Sequence, residues 1–123
     1  MESTEKRHYA IINKYFRKLT LKFKGEILAC TEKALILKEV GKTVYNPVFY
    51  IPKEDIKMEL ELDPKYDSSC PIKGDATYWN LKVNPTTENY FAWSYENPMP
   101  RSRKIKGYVA FNLEDISFMS EPV

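Results

Sequence analysis

The sequence predicts a mainly β single domain in which two antiparallel sheets form a sandwich or half-open barrel, with one helix at the N-terminus. Three observations carry that reading. From Leu19 onward apolar residues recur at period two in short runs, the pattern of strands with one face in a core and one in water. Eight Pro, four Gly and an aromatic content of 14% favour many short strands over a helix bundle. Only the first twenty residues carry helical spacing. A chain of 123 residues suffices for one closed core, so residues 1–123 are read as a single domain with its β core over 19–119.

The helix is expected over residues 4–19. Ile11, Ile12, Tyr15, Phe16 and Leu19 recur at its spacing, Lys and Arg fall between them, and Ser3 or Thr4 can cap the start. The period then changes. Leu19, Leu21 and Phe23 alternate with Thr20, Lys22 and Lys24, and a turn at Gly25-Glu26 leads into Ile27–Cys30. Ala34 to Lys38 and Thr43 to Ile51 follow as strands, the second confined to an edge or a bulge by Pro47. Pro52-Lys53-Glu54-Asp55 breaks the run as a single helical turn. Ile56, Met58, Leu60 and Leu62 then share one face of a strand whose other face is Lys57, Glu59 and Glu61.

Asp63 to Gly74 reads as a loop of about twelve residues, beyond the usual connection length. Asp75 to Val83 returns as a strand with Thr77, Trp79, Leu81 and Val83 on one face and Ala76, Tyr78, Asn80 and Lys82 on the other. Asn89 to Tyr95 completes a hairpin with it, and one choice of register brings Trp79 and Trp93 to the same face. Gly107–Asn112 and Ile116–Met119 finish about eight strands.

No apolar run approaches the ~20 residues of a membrane-crossing helix, and no signal-peptide pattern opens the chain. Cys30 and Cys70 are the only cysteines, and neither has a Cys or His neighbour in sequence. That argues for reduced thiols in a cytoplasmic setting and against a disulfide framework, a metal site or a bound cofactor. His8 lies far from both cysteines, which argues against a Cys-His nucleophilic pair.

Charge is segregated although the net is only +2. Residues 1–24 carry seven basic and two acidic side chains, and residues 54–67 carry six acids and two lysines. Arg101, Arg103, Lys104 and Lys106 form a second basic cluster. Solvated surfaces of opposite sign explain this, and so does attraction of an anionic partner.

The candidate chemistry gathers around residues 68–83. Cys70 stands three residues from Lys73, whose ammonium would raise the thiolate fraction; a structural thiol is the alternative. Lys73 before Gly74 can grip an anionic or carbonyl group, with the glycine allowing close backbone approach. Tyr78, Trp79, Trp93 and Tyr95 can wall a pocket for a flat ligand or serve as core, and with two aromatic faces both can hold. Asp75 and Glu96 flank these rings as possible counter-charges.

Four segments carry a family resemblance: Phe49–Ile56, the run Cys70-Pro71-Ile72-Lys73-Gly74-Asp75-Ala76-Thr77-Tyr78-Trp79, Ala92–Pro98, and Gly107–Phe111. Together they resemble the family of domain of unknown function 427 over roughly residues 19–119. The resemblance implies a β-tent-like fold, two antiparallel sheets meeting at an angle. Tent relatives with structural zinc carry paired Cys-x-x-Cys knuckles, and this chain has none. It departs from the family pattern at Ser69, Ile72 and Cys30, where aromatics and an acid are usual, and its N-terminal segment is an addition. The family's nucleotidyltransferase-like label asks for metal-holding carboxylates beside a Gly-Ser turn, and no such arrangement occurs in this sequence.

Two functions are therefore expected to compete. One is small-molecule binding in an aromatic-lined pocket beside the Cys-Pro-x-Lys-Gly loop, using Cys70, Lys73, Gly74, Tyr78, Trp79, Trp93 and Tyr95. The other is an interaction module that offers the basic N-terminal helix and the 101–106 loop to an acidic protein or nucleic acid. Nucleic-acid readout is disfavoured because the basic clusters and the tryptophans lie in different segments.

Overall fold

A computed structural model describes residues 8–83 and 86–123, apart from the side chains of Tyr66 and Tyr90. Its ten strands are β1 (Tyr9–Lys14), β2 (Lys18–Phe23), β3 (Glu26–Thr31), β4 (Leu35–Val40), β5 (Val48–Pro52), β6 (Leu60–Cys70), β7 (Gly74–Val83), β8 (Thr86–Ser94), β9 (Tyr108–Phe111) and β10 (Ile116–Glu121). They form two antiparallel sheets, a seven-stranded one in the order β1-β4-β5-β9-β8-β7-β6 and a three-stranded one in the order β10-β2-β3. Among the described residues the edge strands β1 and β6 do not pair with each other, so no barrel closes. The turn expected at Lys53–Asp55 is present as a 3-10 turn, and a second 3-10 segment spans Pro100–Ile105.

The helix expected over residues 4–19 does not form among the described residues; its first positions, 4–7, lie outside them. Tyr9–Lys14 and Lys18–Phe23 are strands instead. Ile11 and Ile12 are β-branched, and Ala10 and Ile12 point inward while Tyr9, Ile11 and Asn13 point out. The same apolar residues satisfied both periods, and pairing with β4 decided for two.

The two faces of the large sheet have separate cores. Between the sheets, Leu19, Leu21 and Phe23 of β2 and Leu28 and Ala29 of β3 pack on Ile51, Leu81, Phe91, Val109 and Phe111. The opposite face gathers Ile12, Leu35, Leu37, Tyr50, Ala76, Tyr95 and Ala110 under Ile105 of the second 3-10 segment. That face is strongly curled. In a flat sheet β4 and β7 would stand four strand spacings apart, roughly 19 Å. Yet Glu39 on β4 meets Lys73, beside the start of β7, at 3.0 Å. Twist and coil, which side-chain sterics impose on any β-sheet, have brought the two ends of the sheet together.

Three further expectations fail for identifiable reasons. The twelve-residue loop at 63–74 is mostly strand: β6 runs to Cys70, with an irregularity between Asp63 and Asp67 that accommodates Pro64. As an edge strand with exposed polar side chains it carries no alternation for the sequence to show. The clean run Ile56–Leu62 is strand only from Leu60; Ile56 makes an isolated bridge to Ala29, and Leu62 is 52% exposed. Finally, β5 is central between β4 and β9, and Pro47 precedes it rather than marking an edge.

Candidate functional site

The Cys70–Gly74 run is the hairpin turn between β6 and β7, with Cys70 opposite Gly74. Expected as an exposed loop, it is folded inward at both of its long side chains. Ile72 is 2% exposed, and the Lys73 side chain retains 14%. Three bonds to its backbone neighbourhood fix it: the Met99 N–H donates to the Lys73 carbonyl at 3.0 Å, the Ser102 hydroxyl to the Ile72 carbonyl at 3.0 Å, and the Ser69 hydroxyl to Asp75 at 2.8 Å. Gly74 has φ +109°, and a Cβ there would lie 3.2 Å from the Asn97 carbonyl oxygen and 3.3 Å from the Met99 nitrogen. Only glycine fits that strand start.

The Lys73 ammonium enters the concave core. It donates to Glu39 Oε1 at 3.0 Å and stands 5.7 Å from the centre of the Tyr95 ring. Glu39 Oε2 also meets the imidazole Nε2 of His8 at 2.7 Å. Burial opposes the charge on Glu39, but the bonds from His8 and Lys73 outweigh it and hold the carboxyl below its ordinary range. Burial likewise opposes the charge on Lys73; attraction to Tyr50 and Tyr95 once those phenols ionise, together with the bond and attraction to the Glu39 carboxylate, more than offsets it, and Lys73 is held above the ordinary lysine range. Burial drives the phenols of Tyr50 and Tyr95 upward, against the pull of the Lys73 ammonium. Cys70 is a free, half-buried thiol close enough to act on the ionisation of both tyrosines. At neutral pH this is an ammonium–carboxylate pair among protonated phenols. It can hold charge in place, and it cannot supply a neutral amine.

Six of the seven expected site residues therefore share one neighbourhood. Cys70, Lys73 and Tyr95 meet around Tyr50, and Gly74 shapes the turn. Trp93 joins them because its indole N–H donates to the Tyr50 phenol oxygen. Tyr78, opposite Trp93 in the β7–β8 register, lies on the same face and bonds Ser68 through its hydroxyl at 2.9 Å. Trp79 is the exception. It pairs with Ala92, so the two tryptophans project to opposite faces and cannot stack one ligand between them. The Trp79 indole N–H donates to Ser94 at 2.9 Å, and Ser94 donates to Glu96, which Lys53 grips at 2.9 and 3.0 Å. Glu96 is a partnered acid held below the ordinary carboxylate range; burial opposes this, and the bonds from Ser94 and Lys53 win.

A cleft completes the site, and no motif or spacing points to it. β5 and β9 pair only at Ile51–Val109 and Pro52–Tyr108. Beyond Ile51 they part, and the space between them is a cleft of about 450 Å³. Phe49, Trp93, Phe111 and Phe118 wall it together with Leu21, Pro47, Val48 and Leu113; Asn46 and Asn112 are its two polar lining residues. Because the sheet is split there, residues of both faces reach one space. Trp93 belongs to both regions, its nitrogen bonded to Tyr50 and its ring lining the cleft.

The basic surface is arranged differently from the expectation. The described N-terminal residues form strand and so present no basic helical face, and Arg101, Arg103 and Lys104 are exposed on a short 3-10 segment anchored by buried Ser102 and Ile105. Among the described residues no three of His, Cys, Asp and Glu converge as a metal ion would need. No helix among them is long and apolar enough to cross a membrane.

One family model matches residues 11–121, that of a domain of unknown function, DUF427. None of the curated proteins matches the chain.

Proposed function

This chain belongs to the DUF427 family, a membership that brings no activity with it, and we propose that the domain binds an uncharged, flat small molecule in the cleft between β5 and β9. The observation that carries this is the composition of the cleft wall: four aromatic rings, aliphatic side chains, two amides and no charge around about 450 Å³. Ligand sites of this size are lined in the same way, by apolar surface with a few polar groups that fix orientation. A charged ligand would lose its hydration there without gaining a counter-ion. The Trp93 nitrogen is already bonded to Tyr50, so the indole offers only its ring face. Asn46 and Asn112 supply the donors and acceptors that would orient a carbonyl, an amide or a ring nitrogen. Lys73 does not line this cleft; its ammonium is bonded to Glu39 and acts on Tyr50, the phenol that Trp93 bonds, only through its charge. A seven-stranded and a three-stranded sheet over one core also support reading the fold as a β-tent.

The test uses the neutral fluorescent probe N-phenyl-1-naphthylamine. The native protein is expected to enhance its emission, and Leu113→Arg to abolish the enhancement. Leu113 is 53% exposed at the cleft rim, so a charge there alters the cleft and not the core. Equal enhancement in both proteins would refute the reading.

A further inference from the structure

A second cavity, of about 390 Å³, lies at the other end of β1. Its wall is built by Lys14, Tyr15 and Phe16 from the β1–β2 corner, Glu32 and Lys33 from the β3–β4 turn, and Tyr108 from the start of β9. Three features set it apart from the uncharged cleft. First, Phe16 is 80% exposed, and its neighbours keep it so. Tyr15 meets the Ser120 hydroxyl at 2.6 Å, and Arg17 donates to that hydroxyl at 2.6 Å and to the Ser120 carbonyl at 3.1 Å. The ring is thus held in water by a pinned corner. Second, Lys14 and Lys33 have no ion-pair or side-chain hydrogen-bond partner among the described residues. The turn that carries Lys33 is nonetheless fixed: the Lys33 N–H donates to the Thr31 hydroxyl at 2.9 Å, which donates to Asp55 at 2.7 Å. Third, one carboxylate, Glu32, shares the rim with the two ammonium groups.

From these we infer a second binding site, for a phosphorylated nucleoside. Phe16 and Tyr108 offer faces on which a base can stack, a contact that every base can make. The two unpaired lysines suit a phosphate, which is charged and takes ammonium groups as point charges. Glu32 repels a bare polyanion but accepts hydrogen bonds from ribose hydroxyls or an exocyclic amine. The same combination opposes an anionic membrane surface, which would bring charge against Glu32 and leave the cavity unfilled. The cavity falls within the range of ligand-sized pockets. The inference is independent of the β5–β9 cleft, because the two spaces have no lining residue in common.

Calorimetric titration with adenosine 5′-monophosphate, adenosine and inorganic phosphate tests it. The monophosphate is expected to bind at least tenfold more tightly than either fragment. Phe16→Ala and Lys33→Ala should each weaken it about tenfold, the usual loss for one stacking or charge-assisted contact. Glu32→Gln should weaken adenosine as well as the monophosphate. All three side chains are exposed, so unchanged circular dichroism is expected and separates lost binding from lost folding. A short single-stranded oligonucleotide distinguishes a free nucleotide from a strand end: binding tighter than the monophosphate, and equally weakened by Phe16→Ala, assigns the site to nucleic acid. Failure of the monophosphate and the oligonucleotide alike to bind, binding untouched by Phe16→Ala and Lys33→Ala, or binding only to phosphatidylserine vesicles would overturn the inference.

Discussion

Breaking the Lys73–Glu39 pair should loosen the curled sheet, and the structure sets the scale. The two groups meet at 3.0 Å with side chains 14% and 13% exposed. At an effective dielectric constant near 20 their gross attraction is about 5 kcal/mol, much of it offset by desolvation. What a single substitution exposes is the stranded partner. Lys73→Met keeps the stem and its packing but leaves the Glu39 carboxylate to His8 alone. Loss of one member of a buried pair costs roughly 3–5 kcal/mol, and because His8 remains we expect the lower end, about 3 kcal/mol. Glu39→Gln should cost a similar amount, since Lys73 then keeps only the phenols and the Tyr95 ring. The double variant strands neither charge, so its cost should fall short of the sum by about 2 kcal/mol. Urea unfolding measures all three, and in a domain of this size each single change should lower the melting temperature by about 12 °C. Single costs below about 1 kcal/mol, or strict additivity, would mean that the pair behaves as a solvated surface bridge and that the sheet curls without it.

Two other outcomes follow from the same geometry. Tyr50 and Tyr95 have raised pKa values in the folded state, so the stability they contribute is complete below the unfolded tyrosine value, near pH 10, and is lost as pH rises beyond it. Absorbance titration should show two of the nine tyrosines ionising only together with alkaline unfolding; nine phenols titrating reversibly as one group would contradict their burial. Ser94→Ala removes the acceptor of the Trp79 N–H and one donor of Glu96, and should cost about 2 kcal/mol while shifting Trp79 emission in a Trp93→Phe background. An unchanged midpoint and spectrum would show that the relay contributes nothing.

The β class was legible because alternation survives wherever one face of a strand is buried: Leu19, Leu21 and Phe23, or Trp79 and Leu81, all lie in the core between the sheets or against it. It failed at the two edges of the large sheet. In β1 the inward residues Ala10 and Ile12 sit beside exposed Tyr9 and Ile11, so a strand imitates a helix. In β6 both faces of the outer stretch are wet, so a strand imitates a loop. Cys70, Lys73 and Tyr95 could be grouped from the sequence because one hairpin joins β6 to β7 and β8 follows at once. Glu39, His8 and Tyr50 could not, because they reach the turn only through the curl of the sheet. The cleft was hidden for a related reason. It exists because pairing of β5 and β9 stops at Ile51, and no residue pattern announces where a ladder ends.

The position of Lys73 also changes what a Cys-Pro-x-Lys-Gly run can mean here. A lysine that attacks a carbonyl needs its amine neutral at working pH, which burial alone would favour. In this fold burial is opposed at working pH by a carboxylate at 3.0 Å, and the balance falls on the charged side. Removing Glu39 is the change that would tip it back. A lysine so placed acts through its field and its reach, tying the hairpin to Glu39 across the sheet, close to the Tyr50 phenol that the Trp93 nitrogen bonds. The turn and the cleft thus adjoin at one phenol, and loosening the ion pair should disturb the cleft before it disturbs the core between the sheets.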